Sequence, residues 1–325
     1  MTDRSVHWFA LGGTIQAQGH DALDRHRYFR TGQTVDATAL LAQWPAAGPA
    51  VVVEQIAAGA SHNLSPALVL DLARRLRDLD PRTVSGAVVS LGSNALEEVA
   101  FLLWLFGPAP VPVVVTAAMR PPTALGTDAH ANLFASLTLA GSAEGLRAGT
   151  VVVSDDAVLH PVGLTKSHTA DVDAFSASGV RLGTVEPGRR PKIHRSGSAS
   201  PLVGSELPAD LAPVFQLASH LGSDGTLVQA AVQAGARGIV AVGLGAGFPP
   251  AAELDALRAA HEAGVAICLA RRTARGRTTG AAETAPLLSA GELTALQARL
   301  VLSVALSGES ASTAVLQTLL DDCHA

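Results

Sequence analysis

The chain has 325 residues, 48% of them hydrophobic and 16% charged, with 28 acidic against 23 basic side chains and a net charge of −5. That length suits about two domains. The hydrophobicity excludes a disordered chain, and the missing basic excess argues against a nucleic-acid partner.

Short apolar runs alternate with longer helical stretches from the start. VHWFAL (6–11) reads as a strand ending at Gly12-Gly13, and AVVVEQI (50–56) as a second. Residues 65–79 read as an amphipathic helix with Ser65 as N-cap and Pro66 at the first helical position. GAVVSL (86–91) is followed by a helix over 94–106, PVVVTA (112–117) by a helix over 128–140, and TVVVSD (150–155) gives a fifth strand. This alternation predicts an α/β domain with a mainly parallel sheet. The strands are continuous runs of β-branched residues, as expected where helices cover both faces. The stretch 187–209 is rich in Pro, Gly and Ser and reads as a linker between a domain over 1–186 and a smaller α/β domain over 210–325. In the smaller domain, PVFQLAS, GIVAVGLGAG and VAICLA alternate with helices near 224–235 and 250–263, and a final helix lies near 290–306.

The two cysteines, Cys268 and Cys323, are too few for a disulfide framework. No Cys/His cluster has zinc spacing. No apolar run approaches the roughly 20 residues of a membrane helix, and MTDRSVHWFALGGT lacks the long apolar stretch of a signal peptide. A soluble cytoplasmic protein without a membrane partner is expected.

Open α/β sheets bind ligands at the carboxyl ends of their strands, so the residues just after each strand carry the information. Gly12 and Gly13 permit a tight turn and close backbone approach, and Thr14 follows with a hydroxyl. Gly59-Ala60-Ser61-His62-Asn63 is a small polar loop. Gly92-Ser93-Asn94 precedes Glu97 and Glu98, which reads as a helix cap by Ser93 or Asn94 and equally as a second hydroxyl at the sheet edge. Lys166 lies in a small-residue loop, either as a solvated charge or as an activator of a nearby hydroxyl. Tyr28, the only tyrosine, sits in a charged segment, either as an ordinary loop aromatic or as a lid over Thr14.

In this order the motifs resemble the bacterial, homotetrameric L-asparaginase/glutaminase family over nearly the whole chain. LGGTIQ (11–16) resembles its first signature and SLGSNALEEVAFLL (90–103) its second. VVVTAAMRPPTALGTDAHANL (113–133), VVVSDDAVLHPVGLTKSHTADVDAF (151–175) and GARGIVAVGLGAG (235–247) resemble later segments. The resemblance implies Thr14 as nucleophile, Tyr28 as lid tyrosine one residue beyond the family spacing, and Ser93 with Lys166 as the pair that activates a hydroxyl or water. It implies Gly13, Ser61, Gly92, Asn94, Ala118 and Glu283 as substrate-binding positions, with Ser61 on the substrate carboxylate and Glu283 contributed by a neighbouring subunit. It further implies a homo-oligomer with intersubunit active sites and no metal or organic cofactor. An amide is a poor electrophile, so such chemistry needs an activated hydroxyl and an oxyanion hole. Backbone N–H groups beside the strand-end glycines are the expected donors.

Two positions depart from the family. Ser93-Asn94 stands where the second signature has Thr-Asp, and Ala246-Gly247-Phe248 stands where the small domain has an asparagine. Serine keeps the hydroxyl, but asparagine removes the carboxylate that holds the substrate's α-ammonium. Losing such a partner costs about 2–5 kcal/mol, roughly 30- to several-thousand-fold in binding. The expectation is an amidohydrolase for a substrate whose amino group is acylated, cyclised or absent. The alternatives are an ordinary L-asparaginase whose Asn94 carbonyl still accepts from the ammonium, and a non-catalytic small-amide-binding homologue.

Overall fold

The structure is a computed structural model and describes residues 4–42, 44, 48–175, 179–202, 205–279, 286–308 and 311–325. It divides into two compact units, one running to Ser205 and one from Glu206 to His324.

In the first unit the chain runs through β1 (Ser5–Ala10), α1 (Ala37–Leu41), β2 (Val51–Gln55), α2 (Pro66–Arg77), β3 (Val84–Ser90) and α3 (Leu96–Leu105). It continues through β4 (Val113–Thr116), α4 (Ala129–Ala140), α5 (Ala143–Ala148) and β5 (Thr150–Ser154). Three short strands follow, β6 (Ala157–Leu159), β7 (Arg181–Thr184) and β8 (Lys192–Ile193). They form one eight-stranded sheet in the order β2-β1-β3-β4-β5-β6-β7-β8. The first five are mutually parallel and the last three antiparallel. The chain leaves β1 to pair β2 on one side and returns to pair β3 on the other. That reversal opens a crevice at the carboxyl ends of β1 and β3, where α/β sheets bind ligands.

Local sequence explains the main elements. β3, β4 and β5 are almost wholly buried, which suits their β-branched runs. β2 is an edge strand with Glu54 and Gln55 exposed, so helices do not cover it on both faces. Ser65 caps α2 by accepting from the Leu68 N–H at 3.3 Å, and Pro66 opens the helix. Trp8 is fully buried, and its indole N–H donates to Ser90 Oγ at 2.8 Å, tying β1 to β3 just below the crevice.

The linker expected over 187–209 includes β8, which pairs with β7 at Gly183↔Ile193 and Thr184↔Lys192, and the first unit runs on to Ser205. A side chain at Gly183 would come 2.2 Å from Lys192 O, so the Gly is there for the pairing. Pro, Gly and Ser mark irregular backbone, and here that backbone is bound to its domain: Trp104 Nε1 donates to Ser198 O at 3.0 Å. The cap of α3 also differs. The N-cap is Ala95 and makes no side-chain cap bond. The Ala95 N–H donates instead to Ser61 Oγ, at 3.2 Å, from a different loop.

The second unit holds β9 (Val214–Ala218), α6 (Thr226–Gln233), β10 (Gly238–Gly243), α7 (Ala251–Glu262), β11 (Ala266–Arg271), β12 (Leu288–Ser289) and α8 (Ala295–Ala305). Its four strands are parallel in the order β12-β11-β10-β9. A capping box between Thr294 and Gln297 starts α8. The helix placed last by sequence is followed by another, α9 (Thr313–Asp322), capped by Ser312. Cys268 and Cys323 are free and buried. Burial pushes the Cys323 thiol up to about 12 and the Cys268 thiol up as well, so neither is a ready nucleophile.

Candidate active site

Three loops meet at the crevice, and their glycines permit it. Gly12 and Gly13 have φ of 76° and 80°, in the left-handed region. A Cβ on Gly13 would fall 2.2 Å from the Gly92 backbone, and one on Gly92 would fall 2.6 Å from Ser61 Oγ. The loops after β1, β2 and β3 are therefore packed backbone against backbone. A pair of glutamines fixes the first of them. The Gly12 N–H donates to Gln16 Oε1 at 3.0 Å, Gln16 Nε2 donates to Gln55 Oε1 at 2.9 Å, and Gln55 Nε2 donates to Ala10 O at 3.1 Å.

Thr14 opens a short 3-10 turn, Thr14–Gln16, and is 8% exposed. Its Oγ1 lies 2.9 Å from Tyr28 Oη. Tyr28 begins a second 3-10 turn, Tyr28–Arg30, in a segment held at both ends. The Gln18 N–H donates to Gln33 O and the Val35 N–H to Gln16 O. The middle is held too, by Gly19 N–H to Thr123 Oγ1 and Leu125 N–H to Ala22 O. The expected lid is thus a pinned excursion that carries its tyrosine to Thr14.

The other pair forms across the sheet edge. Lys166 Nζ donates to Ser93 Oγ at 2.8 Å and to Asn94 Oδ1 at 3.1 Å. The backbone N–H of Lys166 donates to Glu97 Oε2 at 3.0 Å, which anchors its loop to the first turn of α3. Burial pushes the Lys166 ammonium below the usual lysine range, against an opposing pull from the Glu97 carboxylate. This is why Ser93 and Asn94 do not cap α3: their side chains are committed to the lysine.

Thr14, Tyr28, Ser61, Ser93, Asn94 and Lys166 all line one cavity of about 450 Å³, with Gly13 and Gly92 in its wall. Ala118 does not line it. It is 1% exposed within the hydrophobic core, and the wall there is its neighbour Met119. Asp128 sets that loop by accepting from the Met119 and Arg120 N–H groups at 2.8 and 2.9 Å. The oxyanion donors expected beside the glycines are narrowed. The Gly12 N–H is taken by Gln16 and the Gly13 N–H by Gly59 O at 3.1 Å. That leaves the Thr14 N–H at this strand end, without a protein acceptor among the described residues. Glu283 lies outside the described residues. Phe248, in the second unit, is 43% exposed. Glu97, Met119, Gln16 and Gln55 were not singled out as site residues. Of these, Gln16, Glu97 and Met119 lie in the segments that carry the resemblance, and Glu97 lies also in the first turn of α3.

Among the described residues no group of three His, Cys, Asp or Glu side chains is placed to hold a metal ion. No helix among them is long and apolar enough to cross a membrane.

Comparison with known proteins identifies the family. Residues 5–196 match the family described as "Asparaginase, N-terminal", and residues 213–320 match "Glutaminase/Asparaginase C-terminal domain". L-asparaginase 2 of Bacillus subtilis is 33% identical, over 78% of this chain and 69% of its own length. L-asparaginase 2 of Escherichia coli is 30% identical, over 92% and 87% respectively. The glutaminase-asparaginase of Acinetobacter glutaminasificans is 29% identical, over 92% and 93%. A crystal structure described as a probable cytoplasmic L-asparaginase from Campylobacter jejuni superposes with a TM-score of 0.86 at 26% identity, covering 98% of this chain and 99% of that one. The chain therefore belongs to the asparaginase family of amide hydrolases.

Proposed function

We propose that Thr14 is the nucleophile of an amide hydrolase whose substrate lacks a free α-ammonium. The observation that carries the proposal is the pairing of Thr14 with Tyr28 and of Lys166 with Ser93 and Asn94 around one cavity. Thr14 Oγ1 attacks the amide carbon, its proton passes through Tyr28 Oη to the amide nitrogen, and ammonia leaves. The Thr14 N–H stabilises the oxyanion. Water then cleaves the ester. Neutral Lys166, reached through Ser93 Oγ, takes the water's proton and returns it to Thr14 Oγ1 as the acid departs. Ser61 keeps a hydroxyl proton to donate to the substrate carboxylate, because its oxygen accepts from Ala95.

Asn94 supports the substrate assignment. It is uncharged, and its Oδ1 already accepts from Lys166 Nζ at 3.1 Å. A substrate ammonium brought there finds no carboxylate, only an oxygen already engaged by the lysine. The names of the relatives favour the second reading, an ordinary L-asparaginase. A homo-oligomer with intersubunit sites belongs to the proposal through the family resemblance, and a cytoplasmic location through the short N-terminal apolar run and the similar probable cytoplasmic L-asparaginase. Ammonia release from L-asparagine, L-glutamine, N-acetyl-L-asparagine and succinamic acid, with Thr14→Ala as blank, separates the readings. Thr14-dependent release from the last two alone is expected. Efficient release from L-asparagine selects the ordinary enzyme, and release that survives Thr14→Ala refutes the nucleophile.

A further inference from the structure

A second hollow, of about 340 Å³, adjoins the Thr14 cavity and shares Tyr28, Phe29, Met119 and Thr169 with it as walls. Its far side is cationic. Arg25 Nη2 donates to Leu125 O at 3.0 Å, and Arg120 Nη1 donates to the next carbonyl, Gly126 O, at 2.7 Å. A Cβ on Gly126 would lie 2.9 Å from Arg120 Nη1 and 3.9 Å from Arg25 Nη2, so both guanidinium heads sit within 4 Å of one point. Gly126, at φ 68°, makes the turn that seats them.

Two like charges near one point repel, less so where water screens them, and an anion between them relieves that repulsion. Among the described residues neither guanidinium is in an ion pair within 4 Å, and the Asp128 carboxylate, which accepts from the Arg120 backbone N–H, is the anion that acts on Arg120 from its own loop. Arg120 Nε is buried with no hydrogen-bond partner. Asp171 also lines the hollow, and its carboxylate lies 3.3 Å from His168 Nδ1. His26 adds a third basic side chain. Guanidinium forks match carboxylates in shape and charge and retain several N–H donors when one is spent on a carbonyl.

The geometry points to a carboxylate subsite: Arg25 and Arg120 bind an acid carried on the substituent that replaces the substrate's free amino group. This rests on the substrate assignment above and extends it, from an amide without an ammonium to an N-acyl amide whose acyl arm ends in a carboxylate. The cavity beside Thr14 takes the scissile amide, and the arm passes Tyr28 and Met119 into the hollow.

The test is calorimetric binding of N-acetyl-L-asparagine and N-succinyl-L-asparagine to the Thr14→Ala protein, alone and combined with Arg25→Gln. Glutamine removes the charge and retains a neutral amide donor. The succinyl compound is expected to bind about tenfold more tightly than the acetyl compound. That ratio is expected to fall to about one in the double variant. Equal affinities, no binding of either compound, or a preference that survives Arg25→Gln overturns the subsite. The parent assignment is tested apart from this, by hydrolysis of N-acetyl-L-asparagine by the unaltered enzyme, which does not involve the arm's carboxylate.

Discussion

Lys166 stands between two opposed influences, burial that disfavours its charge and a Glu97 carboxylate that favours it. Burial prevails, so more of the lysine is neutral at a given pH than for an exposed one. A neutral lysine is the working base here, so activity is expected to rise with pH through its lowered pKa and to be lost below it. Lys166→Arg keeps the charge and the reach but cannot deprotonate. It is expected to cut kcat by about 10²–10⁴-fold, checked by a pH–rate profile whose rising limb disappears. A larger role for Glu97 would leave that limb in the ordinary lysine range. Asn94→Asp places a carboxylate against Lys166 Nζ. The sign is fixed: an adjacent anion favours the ammonium, so the limb moves to higher pH. The same carboxylate offers a free α-ammonium a partner, so kcat/KM for L-asparagine is expected to rise by about tenfold or more. No gain on L-asparagine places the discrimination elsewhere in the site.

At the scale of elements, the site is a convergence of strand ends and its tolerance is backbone-limited. Gly13→Ala adds a methyl 2.2 Å from the Gly92 backbone at a residue with φ 80°. It is expected to cost more than about 3 kcal/mol, measured by urea unfolding. A loss under about 1 kcal/mol means the loops are not in contact. Ser65→Ala removes an ordinary cap from α2 and is expected to cost about 1 kcal/mol with turnover unchanged, since Ser65 is outside the cavity. The contrast between Ser65 and Ser93 shows what was legible in the chain. Both precede a helix. Ser65 has only its own helix to serve, so local sequence places it correctly. Ser93 and Asn94 have a partner far along the chain, Lys166, and the long-range bond prevails over the local cap. The main strands and helices were legible because their apolar runs and periodicities are local. The glutamine pair Gln16–Gln55 was not, because its members are far apart in sequence and only Gln16 lies in a quoted motif.

For the whole molecule, the strand order β2-β1-β3 explains why Thr14 and Ser93 share a cavity although they are far apart in sequence. β1 and β3 are neighbours in register, Ala10 opposite Ser90, and each is followed at once by a glycine-bearing loop. The resemblance to the family anticipated this convergence, whereas the short strands β6, β7 and β8 carried too little apolar pattern to be read. The substrate preference is decided by kcat/KM for N-acetyl-L-asparagine against L-asparagine on one preparation, each with its Thr14→Ala control. The prediction is Thr14-dependent turnover favouring the acetylated amide by about 30-fold or more. A preference for L-asparagine, or turnover that persists in Thr14→Ala, contradicts it.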